Sequence, residues 1–240
     1  MKRYEEIYHL IAGRITDGTY PKNSTLPSEA LMLKEFQASR HTVRKALDML
    51  MDSGHILKRQ GKGSLVLSRE KFEFPIVGLT SYKELQKMYG FESLTKVIHL
   101  QREKIDGETA NYTGLPEGAF AWFVLRTRTM NGDAVVIDKD ILLTKFVPHL
   151  DEKIAGDSIY EYLEAELDLE ISYANKEITI DSLNADDKSY LDLRKADTNI
   201  VSVKSKVYLS DANLFQYTES RHRVDKFRFV DFARRRKGLL

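Results

Sequence analysis

The sequence predicts an α+β protein in two domains, an amino-terminal winged helix-turn-helix and a larger domain built on a mixed, largely antiparallel sheet. Three observations predict it. Apolar residues recur at helical spacing in three short runs between Tyr4 and Leu50, and a Gly-Lys-Gly hairpin follows them. From Val97 onward, strand-like apolar runs recur with tight turn pairs such as Asn131-Gly132 between them. Charge is also segregated. Residues 1–71 carry 13 Lys/Arg against 8 Asp/Glu, residues 72–220 carry 16 against 26, and residues 221–240 carry 8 against 2. A basic head on an acidic body fits a terminal module that meets nucleic acid, although solvated charge would give the same counts.

Each element of the head has its own signal. Tyr4, Ile7, Tyr8, Ile11 and Ile15 lie on one helical face, ended by Gly18 and Pro21. Ser28 is placed to cap a second helix that uses Leu31, Leu33 and Phe36. Ser39 is placed to cap a third, whose buried face is Val43, Ala46, Leu47 and Leu50. Two short apolar strands then flank the Gly61-Lys62-Gly63 tip. The third helix carries Arg40, His41, Thr42, Arg44 and Lys45 in its first turns, where a recognition helix meets base edges in the major groove. Lys58, Arg59 and Lys62 on the hairpin suit phosphates or the minor groove, and Gly61 and Gly63 let the backbone approach closely.

The segment 68–75 is charged and ends in Pro75, as a connector does, which gives domains at 1–67 and 76–240. In the second domain a helix is expected near Tyr82–Met88 and a strand at Val97–Leu100. Strands at Phe120–Thr129 and Ala134–Leu142 pair through Asn131-Gly132. Ser158 caps a helix with Ile159, Tyr162, Leu163 and Leu167 on one face. Strands follow at Ile171–Ile180, Val201–Leu209, Leu214–His222 and Phe227–Phe232, with a short helix near Asp186–Leu193.

The composition narrows the chemistry. With 42% hydrophobic and 30% charged residues the chain is an ordinary globular one. It has no run of 18 apolar residues, so no membrane helix is expected, and its charged start is unlike a secretory signal. Zero cysteines exclude disulfides and thiolate sites and fit a cytoplasmic protein. The histidines at 9, 41, 55, 99, 149 and 222 have no zinc spacing, and no nucleophile elbow or Walker loop is present. No metal, cofactor or catalytic residue is therefore assigned, and the chain is expected not to be an enzyme. One pattern is more pointed: Arg126 and Arg128 are two residues apart on an apolar strand and so share a face. Two such arginines call for an anion, and a phosphate suits the guanidinium fork. Asp138 and Asp140 on the returning strand offer salt bridges instead. Ser81 and Ser158 stand at helix starts, either as plain caps or as anion ligands.

The runs Leu26-Pro27-Ser28-Glu29, Ser39-Arg40-His41-Thr42-Val43-Arg44-Lys45-Ala46-Leu47 and Gln60-Gly61-Lys62-Gly63-Ser64 resemble the DNA-binding signature of GntR-type bacterial regulators, and the wing resembles the HutC branch. Ala30 stands where many members carry a DNA-contacting arginine. Gly78-Leu79-Thr80-Ser81-Tyr82, Leu125-Arg126-Thr127-Arg128, Ser158-Ile159-Tyr160-Glu161-Tyr162-Leu163 and the run from Gln216 resemble that branch's UTRA effector domain, whose fold is similar to chorismate lyase. The resemblance implies a homodimer on double-stranded operator DNA, released by a phosphosugar. It implies that Arg40, Thr42, Arg44 and Gly63 meet DNA. It puts Ser81, Arg126, Arg128 and Ser158 at the phosphate, Asp138 and Glu219 at sugar hydroxyls, and Phe227 against the sugar ring. Asp138 is shorter than the glutamate frequent there, and Phe227 replaces a tyrosine found in some members. The run Leu214–Arg223 and the segment Asp225–Arg235 resemble branch members that govern trehalose use, which implies trehalose 6-phosphate as effector. A lyase-like enzyme domain fused to a DNA-binding head is the alternative that the fold resemblance leaves.

Overall fold

The computed structural model describes residues 2–59, 62–67, 79, 81–89 and 92–229. These fall in two compact units, one before and one after the segment 68–78.

The amino-terminal unit has helices α1 (Arg3–Thr16), α2 (Glu29–Phe36) and α3 (Arg40–Asp52) and a hairpin of β1 (Ile56–Arg59) and β2 (Gly63–Val66). Ser28 and Ser39 cap α2 and α3 by accepting the backbone N–H of Leu31 and Thr42. Val43, Ala46, Leu47 and Leu50 are all buried, against Ile7 and Ile11 of α1 and Met32 and Phe36 of α2. Burying each of the larger of these side chains, the Val, Leu, Ile, Met and Phe, stabilises the unit by about 1.5–3 kcal/mol. The expected face of α2 is corrected: Met32 is buried, whereas Leu31 is 58% exposed. The helix starts at Glu29, so its inward positions fall at Met32 and Phe36, four residues apart, and Leu31 turns away.

The second unit contains a six-stranded sheet in the order β3 (Ser93–Lys104), β4 (Phe120–Met130), β5 (Asp133–Leu143), β8 (Leu214–Arg223), β7 (Asn199–Leu209), β6 (Ile171–Ser182). Every pairing in it is antiparallel. Asn131 and Gly132 both have positive φ, 53° and 91°, as the tight β4–β5 turn demands. Among the described residues five helices accompany the sheet: α4 (Tyr82–Tyr89) before β3, then α5 (Gly107–Thr113), α6 (Glu152–Gly156), α7 (Ile159–Ala165) and α8 (Ala185–Tyr190) between strands. The sequence patterns did not reveal α5 and α6: α5 carries only Ala110 and Tyr112 as apolar residues, and α6 is five residues long.

Side-chain alternation gives the sheet two different faces. On one, α6 and α7 pack Ile159 and Leu163 against Val124, Leu142, Val207 and Phe215. The other is covered in two places, by Leu115 after α5 against Ile141 and Tyr217, and by Leu191 after α8 against Ile137 and Ile200. The chain after β8 makes a 3-10 turn at Val224–Lys226, and residues 227–229 are not a strand, contrary to expectation. The rest of that expected strand, the connector and the basic tail lie outside the described residues. Among the described residues no helix is long and apolar enough to cross a membrane.

Candidate functional site

In the amino-terminal unit, Arg40, His41, Arg44 and Lys45 are exposed on α3, opposite its buried face. Thr42 is half-buried, and its hydroxyl lies 2.8 Å from that of Ser39. Among the described residues, Arg40 and His41 have no protein partner. Arg44 Nε donates to Glu29 Oε2 at 2.9 Å, and the Lys45 ammonium sits 3.8 Å from the centre of the Tyr4 ring. The Arg44–Glu29 pair is exposed and contributes at most about 1 kcal/mol, so a DNA phosphate or base can compete for the arginine. Arg59 and Lys62 are exposed at the hairpin end, where the Lys62 N–H closes on Arg59 O at 3.0 Å. Gly63 has φ +80°, and a Cβ there would stand 3.0 Å from Thr25 Cγ2. Gln60 and Gly61 lie outside the described residues.

In the second unit a cavity of about 180 Å³ opens on the sheet face that α7 covers. Ser81, Arg126, Arg128, Asp138, Ser158 and Phe227 all line it. Ser81 and Ser158 cap α4 and α7 by accepting the N–H of Glu84 and Glu161, each at 3.2 Å. Lys83 joins the two helices across the cavity's edge, 2.7 Å from Asp157 Oδ2 and 2.8 Å from Glu161 Oε2.

Both arginines are buried, and both are paired. Arg126 Nη2 donates to Asp140 Oδ2 at 2.6 Å and Nη1 to the Ala155 carbonyl at 3.1 Å. Arg128 Nε donates to Asp138 Oδ2 at 2.8 Å, and Nη1 donates to the Thr95 hydroxyl. The guanidinium of Arg128 also lies 4.4 Å from the centre of the Tyr82 ring. The salt-bridge reading is therefore met in full, but capacity is left over. Arg126 Nε is buried without a partner, and Arg128 donates through Nε and Nη1 but not through Nη2 among the described residues. Burial and the neighbouring charge of Arg126 push the pKa of Arg128 down, which marks it as the less compensated cation. Burial alone would raise the Asp138 carboxyl, but Arg128, Arg126 and the Ser220 hydroxyl at 2.6 Å hold it down at about 2. Burial takes His222, beside Phe227, down to about 4, with Asp138 pulling the other way.

Glu219 is a correction. It does not line this cavity but faces the other side of the sheet, where it accepts from Arg221 Nη1 at 2.8 Å and Ser202 at 3.1 Å. The cause is the strand's period of two. Ser220 is opposite Asp138 in register and shares its face, so Gln216, Thr218 and His222 share it too and Glu219 cannot. These four residues, with Tyr82, Lys83 and Tyr160, escaped the sequence reading. The phase of β8 relative to Asp138 was the signal that would have found the four strand residues. No group of three or more metal-ligating side chains occurs among the described residues.

Comparison with known proteins agrees with this division. Residues 3–66 match the family described as bacterial regulatory proteins, gntR family, and residues 88–228 match the UTRA domain. The HTH-type transcriptional regulator TreR of Bacillus subtilis is 46% identical over 237 residues, 99% of both chains. The solved effector-binding domain of the B. subtilis trehalose repressor is 45% identical, with a TM-score of 0.56 over 60% of this chain and 99% of that one. The crystal structure of the possible regulator YydK from B. subtilis shares the fold across 98% of this chain and 100% of its own, at TM-score 0.79 and 24% identity. The chain belongs to the gntR family of bacterial regulatory proteins, in the UTRA-bearing HutC-type branch, as a DNA-binding transcription regulator.

Proposed function

We propose that this chain represses trehalose-utilisation genes and leaves its operator when trehalose 6-phosphate binds the second unit. Residues 1–67 hold double-stranded operator DNA, 68–75 connect, and 76–240 bind the effector and form a homodimer. The carrying observation is that two buried arginines share one cavity with Ser81 and Ser158 and keep guanidinium donors unused. A phosphate dianion accepts from such donors and compensates the charge of Arg128. Asp138, Ser220 and Phe227 then offer polar and ring contacts to the attached sugar. The 46% identity to TreR supports the regulator, and the 45% identity to the effector-binding domain of the B. subtilis trehalose repressor supports repression and the sugar.

A homodimer places two copies of α3 in successive major grooves of a palindromic site. The effector lowers operator affinity only by its differential affinity for the two states, commonly about 1–3 kcal/mol per coupled site. The test is operator binding at one fixed salt concentration, titrated with trehalose 6-phosphate, trehalose and glucose 6-phosphate. Release by trehalose 6-phosphate alone is expected. Release by a different phosphosugar alone would keep the regulator and discard the trehalose assignment.

A further inference from the structure

The cavity continues well beyond the arginines. Its lining runs from Arg126 on β4, across β5, β8 and β7, to Lys176 on β6. Four inter-strand steps of about 4.8 Å make that floor roughly 19 Å long. One hexose phosphate anchored at the arginines leaves the β7–β6 end empty, whereas a phosphate and two linked rings reach it.

That far end is polar in an ordered way. Thr218 pairs with Ser205 across β8 and β7, and Ser205 with Lys176 across β7 and β6, so the three side chains form one rung on the cavity face. Ser205 is only 5% exposed, and neither its hydroxyl nor that of Thr218 has a hydrogen-bond partner among the described residues. Beside the rung, Gln216 is 2% exposed. Its Nε2 donates to Asp140 Oδ1 at 2.8 Å, which fixes the amide's orientation and leaves Oε1 buried with no donor. A buried acceptor in that state is destabilising until something donates to it. Hydroxyls that both give and accept, beside an acceptor that only takes, are the complement of a sugar ring.

We propose that Ser205, Thr218 and Gln216 form a second sugar subsite, which reads the ring remote from the phosphate and makes the cavity selective for disaccharide phosphates. The inference rests on the phosphosugar reading above and deepens it. A monosaccharide phosphate fills only the arginine end and gains nothing from the rung. A disaccharide phosphate gains the hydrogen bonds of both ends. Sites built to bond a substrate hydroxyl discriminate strongly against ligands that lack it.

The test is titration of the full chain with trehalose 6-phosphate and, by competition, with glucose 6-phosphate, in the wild type, Ser205→Ala/Thr218→Val and Thr218→Ser. The wild type is expected to prefer the disaccharide phosphate at least tenfold. The double variant should lose most of that preference, because each hydrogen bond removed is worth roughly three- to tenfold. Thr218→Ser keeps the hydroxyl and should keep the preference. An undiminished preference in the double variant overturns the subsite while leaving the phosphosugar reading intact. Equal affinity of the wild type for both ligands overturns it as well. A wild type that binds neither ligand overturns the underlying reading, and the subsite with it.

Discussion

Arg128 pairs with Asp138, 2.8 Å away, although the residue opposite Asp138 in the sheet is Arg126. Arg126 in turn reaches Asp140, whose opposite neighbour is Val124. Each arginine has shifted one rung diagonally, a reach that long side chains have between adjacent strands. The shift leaves Arg128 with one carboxylate and an unused nitrogen at the cavity. Asp138→Asn removes that carboxylate and keeps its shape. Removing one partner of a buried pair costs about 3–5 kcal/mol, and the lone cation then gains more from an added anion. Inorganic phosphate should therefore raise the Tm of Asp138→Asn more than that of the wild type. An equal rise in both proteins would remove Arg128 from the anion site.

Glu219→Gln addresses the opposite face. Glu219 bonds Arg221, but Arg221 keeps two contacts to the buried Asp187, at 2.6 and 2.8 Å. The substitution should cost about 1 kcal/mol or less, measured by denaturant unfolding. Trehalose 6-phosphate affinity should stay within about twofold, since no cavity contact changes. A tenfold loss would return Glu219 to the sugar site.

The contrast between Glu219 and Arg126 shows what the sequence can carry. The head was legible almost residue by residue, because its helices bury one stripe each and their caps stand in the chain order. Arg126 and Arg128 were legible because spacing within one strand fixes a shared face. Glu219 was not, because its face depends on the register of β8 against β5, a relation between residues some 80 positions apart that no local pattern encodes. The pairing of Arg128 with Asp138 was open for the same reason. Salt bridge and anion ligand use the same residues, and only the distances show that the first is made with donors to spare.

His222 makes the second unit acid-sensitive. Its folded pKa of about 4 lies below the ordinary 6.5, because burial disfavours the charged ring. Above pH 6.5 both folded and unfolded chains hold it neutral, and its stabilising contribution is complete. As pH falls from 6.5 to 4 only the unfolded chain takes up the proton, and about 3 kcal/mol is lost. Asp138, depressed from 3.8 to about 2, adds a further loss across that lower interval. Chemical denaturation between pH 7 and 4 should show the decline, and His222→Gln should flatten it above pH 4. An unchanged slope in that variant would mean that other groups set it.

The head offers a prediction that separates reading bases from holding phosphates. Arg40 begins α3, is exposed and has no protein partner among the described residues, so its fork is available to a base edge in the major groove. Lys62 is exposed at the hairpin end, where an ammonium meets the sugar-phosphate backbone. Arg40→Ala should cost about 1–3 kcal/mol on the operator and much less on a site altered at the base pair it reads. Lys62→Ala should weaken all sequences alike and reduce the slope of log K against log salt by about 1, because one fewer counterion is released. Both follow from operator binding at four or five salt concentrations with two DNA sequences. An Arg40→Ala variant that weakens both sequences equally, with a shallower salt slope, would make Arg40 a phosphate contact and move base reading to His41 or Arg44.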